Sequence, residues 1–517
     1  MPPARLLAPA LIISGLSGLP LAYLLLRALG VDLASLELVM RPRTVEIFAA
    51  SLALGIGVGV GSIGLGLPLA WLTTRTDLPG RRAWTVLTVI PLAIPSYVIA
   101  FAFIAALGPR GALSEVLRGF GLGGLPSIYG FGGAVVVLTL ATYPYVLLST
   151  RAALLRFDPS IEEAGRALGD SPLVAFRRVT LPLITPAIAG GALLAVLYAL
   201  ADFGAVAILQ FDSFARAIYI QYRASFDRSL AALLALMLVA VTFALAWLEW
   251  RVRRRHPHVN HAPRRPAQPV RLGAWRWPAL GLCASVTTLA LIVPFGTIVF
   301  WLARGLAQGE PLRIVASTTA NSLMAGSLAA LVAAVLALPI CFLVVRHPGR
   351  ISALIEGVIY SAYAVPAIVV ALATVLFVIN VAPFVYQSML VLVLAYAVRF
   401  LPQAIGPARS SLLQVGPRIV EAARTLGDRP SAAFRSITLP LLRPGLVAGM
   451  ALVFLTTVKE LPLTLLLGPT GFDTLATAIW GAATEGFYAR AAAPAAILMI
   501  LSGLTVGVLL RAEEPVR

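Results

Sequence analysis

Apolar runs of bilayer-spanning length recur along the whole 517-residue chain, and nothing else in it restricts the fold as strongly. Hydrocarbon offers no partner to a backbone N–H or C=O, so a crossing segment is either a helix or a strand of a closed barrel. These runs reach or exceed the ~20 residues a spanning helix needs, about twice the length of a barrel strand. Divided at charged or Pro/Gly-rich breaks, they lie near 6–28, 46–74, 83–107, 131–153, 183–209, 229–250, 277–303, 316–345, 352–379, 388–408, 441–467 and 491–511. With 59% hydrophobic and 12% charged residues and a mean hydropathy of +0.92, the chain has more apolar surface than a soluble core can hide. The expected fold is an all-α polytopic membrane protein with about twelve transmembrane helices, and no soluble enzyme domain fits between the spans.

The first run follows Arg5 as a secretion signal would, but it is long enough to span and lacks a small-x-small cleavage site, so it is read as the first span. Cys283 and Cys341 lie 58 positions apart in apolar runs and read as small apolar fillers rather than a disulfide or metal pair.

The net charge of +18 is placed as topology requires, not as nucleic acid binding would require. With both termini cytoplasmic, the loops bearing Arg75, Arg81, Arg82, Arg346 and Arg350 all fall inside, while Arg41, Arg43, Arg110 and Arg118 fall outside. Residues 251–276 form a linker with eight arginines and no acid, broken by Pro257, Pro263, Pro266 and Pro269, and suited to lie beside anionic lipid headgroups. His256, His258 and His261 lie within it, and with no acid or cysteine beside them they read as solvated linker residues rather than a metal site.

The two sides of the linker are copies. EAGRALGDSPLVAFRRVTLPLITPAIAGG begins at Glu163 and EAARTLGDRPSAAFRSITLPLLRPGLVAG at Glu421, 258 positions later. Pro144, Arg151 and Pro159 recur at the same offset as Pro402, Arg409 and Pro417, while Pro68, Arg75 and Pro95 recur 271 positions on as Pro339, Arg346 and Pro366. Six spans separate equivalent points, an even number, so the halves, residues 1–250 and 277–517, are parallel six-helix repeats about an axis along the membrane normal.

In each cassette, near 156–182 and 414–440, a helix-forming run enters through Pro159 or Pro417 and stops at Gly169 or Gly427, a residue suited to the left-handed turn. A second short segment follows, and Leu-Pro re-enters the membrane. This puts a helix, a turn and a helix on the cytoplasmic surface. The face of Glu163, Ala164 and Ala167 suits a partner's groove, with Arg166, Arg177 and Arg178 at its rim, and two matched copies suit a partner that is itself two-fold.

EAGRALG and EAARTLG, with glycine and downstream Leu-Pro in register, resemble the EAA loop of ABC-importer permeases, and the resemblance covers both halves. It implies a type I importer fold in a prokaryotic inner membrane. It also implies that Glu163, Ala164, Arg166 and Gly169, with Glu421, Ala422, Arg424 and Gly427, couple the chain to a homodimeric cytosolic ABC ATPase. Gly165 stands where the motif usually has alanine, a helix cost of up to ~1 kcal/mol. Both halves are fused here, which implies one copy per complex. The single lysine, Lys459, is followed by Glu460 and belongs to no GxxxxGK[ST] loop, so ATP and Mg are expected on the partner and no cofactor on this chain.

Asp202, in Ala201-Asp202-Phe203-Gly204, maps onto Glu460 at the offset of 258, and charges that deep in a span are expensive. They read either as carboxylates beside the pathway, or as a structural pair with Lys459 or hydrogen-bond acceptors for backbone freed near Gly204 and Pro462. The segments around them resemble the ferric-iron branch of the family, in which a periplasmic or lipid-anchored binding protein delivers cargo. Oxygen donors suit a hard trivalent cation, which makes Asp202 and Glu460 transient metal contacts and adds Lys459, Tyr97, Tyr143 and Tyr363 as pathway candidates. The alternatives are the same machine carrying thiamine, an aminophosphonate or another small solute, with Lys459 then more important, or an ion-driven secondary transporter.

Overall fold

The computed structural model describes residues 3–29, 37, 41–109, 111–120, 126–169, 171–224, 229–255, 269–310 and 313–513. The described residues are helical throughout, apart from turns and one bridge between Thr76 and Val270. The first half contains α1 (Ala4–Leu29), α2 (Pro42–Arg75), α3 (Ser96–Leu107), α4 (Phe131–Arg156), the cassette helix α5 (Pro159–Ala167), α6 (Leu181–Ala201), α7 (Phe214–Ala224) and α8 (Ser229–Arg255). The second contains α9 (Val293–Ala307), α10 (Arg313–Arg346), α11 (Ala367–Val381), α12 (Met389–Arg399), α13 (Leu401–Gln414), the cassette helix α14 (Pro417–Thr425), α15 (Leu439–Val458), α16 (Leu475–Glu485) and α17 (Tyr488–Glu513). Among the described residues, ten helices are long and apolar enough to cross a membrane, or twelve if two bent pairs each count as one span.

Several expected spans are not single rods. The run at 83–107 is a short helix Arg81–Leu87, a 3₁₀ turn Ile90–Ala93 and then α3, and the run at 352–379 is a helix Arg350–Ala364 followed by α11 at 106° to it. The cause is proline in both: Pro95 and Pro366 have ψ of 141°, and the preceding Ile94 and Val365 are extended, because a proline ring bars its neighbour from the helical region. The run at 388–408 bends by 51° between α12 and α13, whereas its counterpart α4 continues through Pro144. The runs at 183–209 and 441–467 end early, at Ala201 and Val458, and resume as short helices Gly204–Ile208 and Pro462–Leu467.

Each half is built on three mutually packed helices, α2, α4 and α6 in the first and α10, α13 and α15 in the second. Their approach depends on a repeated glycine. A Cβ on Gly191 would lie 2.7 Å from Val146 Cα, and one on its equivalent Gly449 would lie 3.0 Å from Ala404 Cα, the residue equivalent to Val146. A second matched contact seats the helix beyond each break: Phe214 N–H donates to Ser51 Oγ at 2.8 Å, and Leu475 N–H donates to Ser322 Oγ at 2.8 Å. A third anchors the helix entering each proline break, with Arg151 donating to Thr85 Oγ1 at 2.7 Å and Arg409 pairing with Glu356 at 2.5 Å.

The repeats interlock. α1 packs on Arg350–Ala364, α10 and α11 of the second half, and α9 packs on α3 of the first. Each half thus sends its leading helix across to the other, so the two are not separate six-helix bundles. Of the basic linker, 256–268, with His256, His258 and His261, lies outside the described residues. Its end is fastened to the first half, where Val270 N–H donates to Arg75 O at 2.7 Å and Leu272 N–H to Asp77 Oδ1 at 2.9 Å. Replacing Gly191 or Gly449 by valine should separate the packed helices at a cost of about 1–3 kcal/mol, read as a lower melting temperature in detergent, whereas Gly64→Ala, with open space around it, should be neutral.

Candidate functional site

The two early helix ends meet at a seam between the halves. α6 stops because Asp202 is extended, with φ −70° and ψ 126°, and the chain restarts as Gly204–Ile208. The Asp202 carboxylate closes the gap: Oδ1 accepts from Ala205 N–H at 2.9 Å, as an N-cap residue does, and Oδ2 accepts from the Ser96 hydroxyl. Ser96 is the first residue of α3, directly after Pro95, so one buried carboxylate ties together two helix starts in a region where water cannot satisfy either.

The second half solves the same problem with other residues. Glu460 Oε1 accepts from Leu463 N–H at 3.4 Å, and the Thr464 hydroxyl donates to Glu460 O at 2.8 Å while sharing a 2.5 Å hydrogen bond with Tyr396. Ala367 occupies the place of Ser96 and has no hydroxyl to offer. Arg399 donates to Val365 O at 2.9 Å on the rim of the Pro366 break.

The two seams are joined directly. Tyr97 Oη donates to Lys459 O at 3.3 Å, and a Cβ on Gly204 would lie 2.8 Å from Tyr97 Cβ and 3.2 Å from Leu461 Cδ2, so only glycine allows this contact. Asp202, Tyr97, Lys459 and Glu460 are thus brought together. Among the described residues Lys459 has no ion-pair or hydrogen-bond partner for its ammonium, so the alternative of a structural pair with Lys459 is not formed, whereas both carboxylates accept from backbone N–H groups. Tyr143 lies apart, fully buried, with its hydroxyl donating to Thr88 O at 2.7 Å. Tyr363 lies in another polar group, accepting from Gln403 Nε2 at 2.9 Å while Gln403 Oε1 accepts from Thr456. No group of three or more His, Cys, Asp or Glu among the described residues is arranged to hold a metal ion.

On the side of the seam remote from the cassettes is a cavity of about 480 Å³ that both halves line. Its wall includes Phe203, Tyr219 and Trp480, with ring centroids 4.8, 5.9 and 6.0 Å apart. Sequence reasoning missed this group, as it missed Ser96 and Arg399.

The cassettes lie at the opposite ends of α6 and α15. Gly169 and Gly427 adopt φ of +101° and +100°, and a π-turn, Phe176–Thr180 or Phe434–Thr438, leads each chain back to its span. Glu163, Ala167, Gly169, Glu421, Ala422, Arg424 and Gly427 are exposed. Ala164 and Arg166 are helical, with side chains outside the described set. Leu168 and Leu426, at equivalent positions, are 90% and 89% exposed, an orientation that leaves two matched apolar knobs in solvent.

The anchors below the cassettes differ. Arg75 pairs with Glu162 at 2.8 Å, both nearly buried, and the Thr180 hydroxyl donates to the same carboxylate at 2.9 Å. Val420 replaces Glu162 in the second copy, and Arg346 donates instead to Val415 O at 2.8 Å.

If hydrogen bonding is the main role of Asp202, Asp202→Asn should fold and melt close to wild type. Asp202→Ala should lose about 1–3 kcal/mol, because it leaves Ala205 N–H and Ser96 unpaired in a buried site; thermal melts of the purified variants measure this.

Comparison with known proteins accounts for the duplication. The family described as binding-protein-dependent transport system inner membrane component matches twice, over residues 62–256 and 322–515. The chain is 33% identical over 494 residues to the Fe(3+)-transport system permease protein FbpB 2 of Haemophilus influenzae, covering 94% of each. It is 25% identical over 486 residues to the ferric transport system permease protein FbpB of Actinobacillus pleuropneumoniae, covering 88% of this chain and 69% of that one. With two copies of the family's unit fused in one polypeptide, the chain belongs to the inner-membrane permease components of binding-protein-dependent ABC importers.

Proposed function

We propose that the chain is the fused permease subunit of an ATP-driven importer of ferric iron. The similarity to a ferric permease across 94% of both chains carries the assignment, because it spans both repeats, the seam and the outer loops rather than the cassettes alone. Partial similarities to sulfate and molybdenum permeases, over 33% and 26% of this chain, keep an oxyanion as the alternative cargo. An unpaired Lys459 ammonium at the seam favours that alternative.

The matched cassettes are the sites for two copies of a cytosolic ATPase, which binds and hydrolyses Mg-ATP. In this reading both termini are cytoplasmic, one permease chain serves each complex, and a binding protein delivers cargo to the face remote from the cassettes. Leu168 and Leu426 fill apolar clefts on the two ATPase copies, with Glu163 and Glu421 beside them. Both are surface knobs whose burial is worth about 1.5–3 kcal/mol each. Closure of the ATPase dimer draws the cassettes together, and because α6 and α15 run unbroken from cassette to seam, the movement is delivered to Asp202 and Glu460 as a rigid displacement.

In proteoliposomes holding the permease, its ATPase and its binding protein, radioactive iron supplied as a ferric complex should accumulate with ATP. Leu168→Ser with Leu426→Ser should cut uptake at least about tenfold and weaken co-purification of the ATPase. Uptake of sulfate or molybdate in place of iron would overturn the iron assignment, and undiminished coupling in the double variant would overturn the docking assignment.

A further inference from the structure

Charge along the seam sets a limit on what form the cargo can take. The seam carries two carboxylates, Asp202 and Glu460, and two cations, Lys459 and Arg399. In the cavity beyond them the lining includes one carboxylate, the exposed Glu485, and one guanidinium, Arg216, which is itself held by Asp212, a residue that also pairs with Arg43. The groups along this route therefore sum to near neutrality. A bare trivalent cation would leave water for a passage that offers it no net countercharge, an expensive transfer at such depth.

The cavity is also wrong for a naked ion in size and chemistry. It measures about 480 Å³, many times the volume of one ion, and one wall is the aromatic trio Phe203, Tyr219 and Trp480. Apart from Glu485, the other polar groups of the lining are neutral or cationic. Gln210, a non-glycine residue held at φ +54°, lines the wall beside Arg216. Amide and guanidinium N–H groups recognise oxygen atoms of a ligand, not a metal. Rings present broad faces suited to the surface of a compact complex.

Resting on the iron reading above, we propose that this cavity receives iron as a charge-compensated ferric complex, with small anionic oxygen ligands still bound. Gln210 and Arg216 contact the ligand oxygens, the aromatic trio contacts the body of the complex, and Asp202 and Glu460 lie next along the route. The site holds cargo without stripping it, and the scarcity of carboxylates keeps the hold weak enough to release.

The test uses the permease–ATPase complex in lipid nanodiscs and three probes: ferric citrate, citrate alone, and ferrous ammonium sulfate kept reduced, the last supplying an aquo cation. Ferric complexes quench a nearby indole, so ferric citrate should give saturable quenching that Trp480→Phe removes. Gln210→Ala and Arg216→Gln should each weaken it about tenfold, while citrate alone and the ferrous ion should give no saturable signal. A ferrous response equal to the ferric citrate response would overturn charge compensation. Saturable quenching that persists unchanged in Trp480→Phe, or no saturable quenching although the complete transporter still accumulates iron, would overturn the cavity assignment and leave the iron reading intact. Absence of iron accumulation by the complete transporter would overturn both.

Discussion

A helix interrupted inside hydrocarbon has to be repaired by the protein itself, and the rest of this structure depends on how four such interruptions are repaired. Pro95 and Pro366 break one helix in each half, and Asp202 and Glu460 stand at the breaks of another. Carboxylates accept from Ala205 and Leu463 N–H at the second pair of breaks, Arg399 donates to Val365 O at the Pro366 break, and the seam is where Tyr97 reaches across to Lys459 and where Gly204 admits Leu461. Charged groups are retained there because removing them would leave backbone donors unsatisfied where no water is at hand.

The repairs are equivalent in place and unequal in chemistry. Ser96 and Asp202 form a direct hydrogen-bonded pair, while in the second half Ala367 offers no hydroxyl, Glu460 accepts from Leu463 N–H and Arg399 donates to Val365 O. Away from the seam the repeats agree closely: the serine contacts at Ser51 and Ser322, the glycines against Val146 and Ala404, the left-handed stops at Gly169 and Gly427, and the bare Leu168 and Leu426. A symmetric motor can act on matched cassettes, and an asymmetric cargo is better met by an unmatched seam. The interlocked leading helices α1 and α9 tie the two halves together.

Much of this was legible in the residues, because the relevant signals are local. Span positions follow from apolar length, the duplication from repeated Pro, Arg and Gly, and each cassette stop from one glycine. What was not legible depends on long-range geometry. Span counting treats α1 and α9 as members of their own halves and cannot show that each packs on the opposite half. Proline at 95 or 366 marks a break, but its size, 106° at Pro366, is set by what lies beyond it. Residue type alone groups Tyr143 and Tyr363 with Tyr97, and does not show that Tyr143 donates to Thr88 O or that Tyr363 accepts from Gln403. Arg399 could have been noticed as a lone cation in LVLVLAYAVRF, and Leu168 and Leu426 as apolar residues repeated beside the glycine stop.

Hydrogen–deuterium exchange of peptides covering 202–208 and 460–467, in lipid nanodiscs, tests the repaired seam most directly. Slow exchange of the amides of Ala205 and Leu463 is expected in the wild-type protein, with exchange at 205 accelerated by at least about tenfold in Asp202→Ala, the equivalent of ~1.4 kcal/mol of lost local protection. Rapid exchange of both segments in the wild type, or no change on removing the Asp202 carboxylate, would contradict the role assigned to these carboxylates.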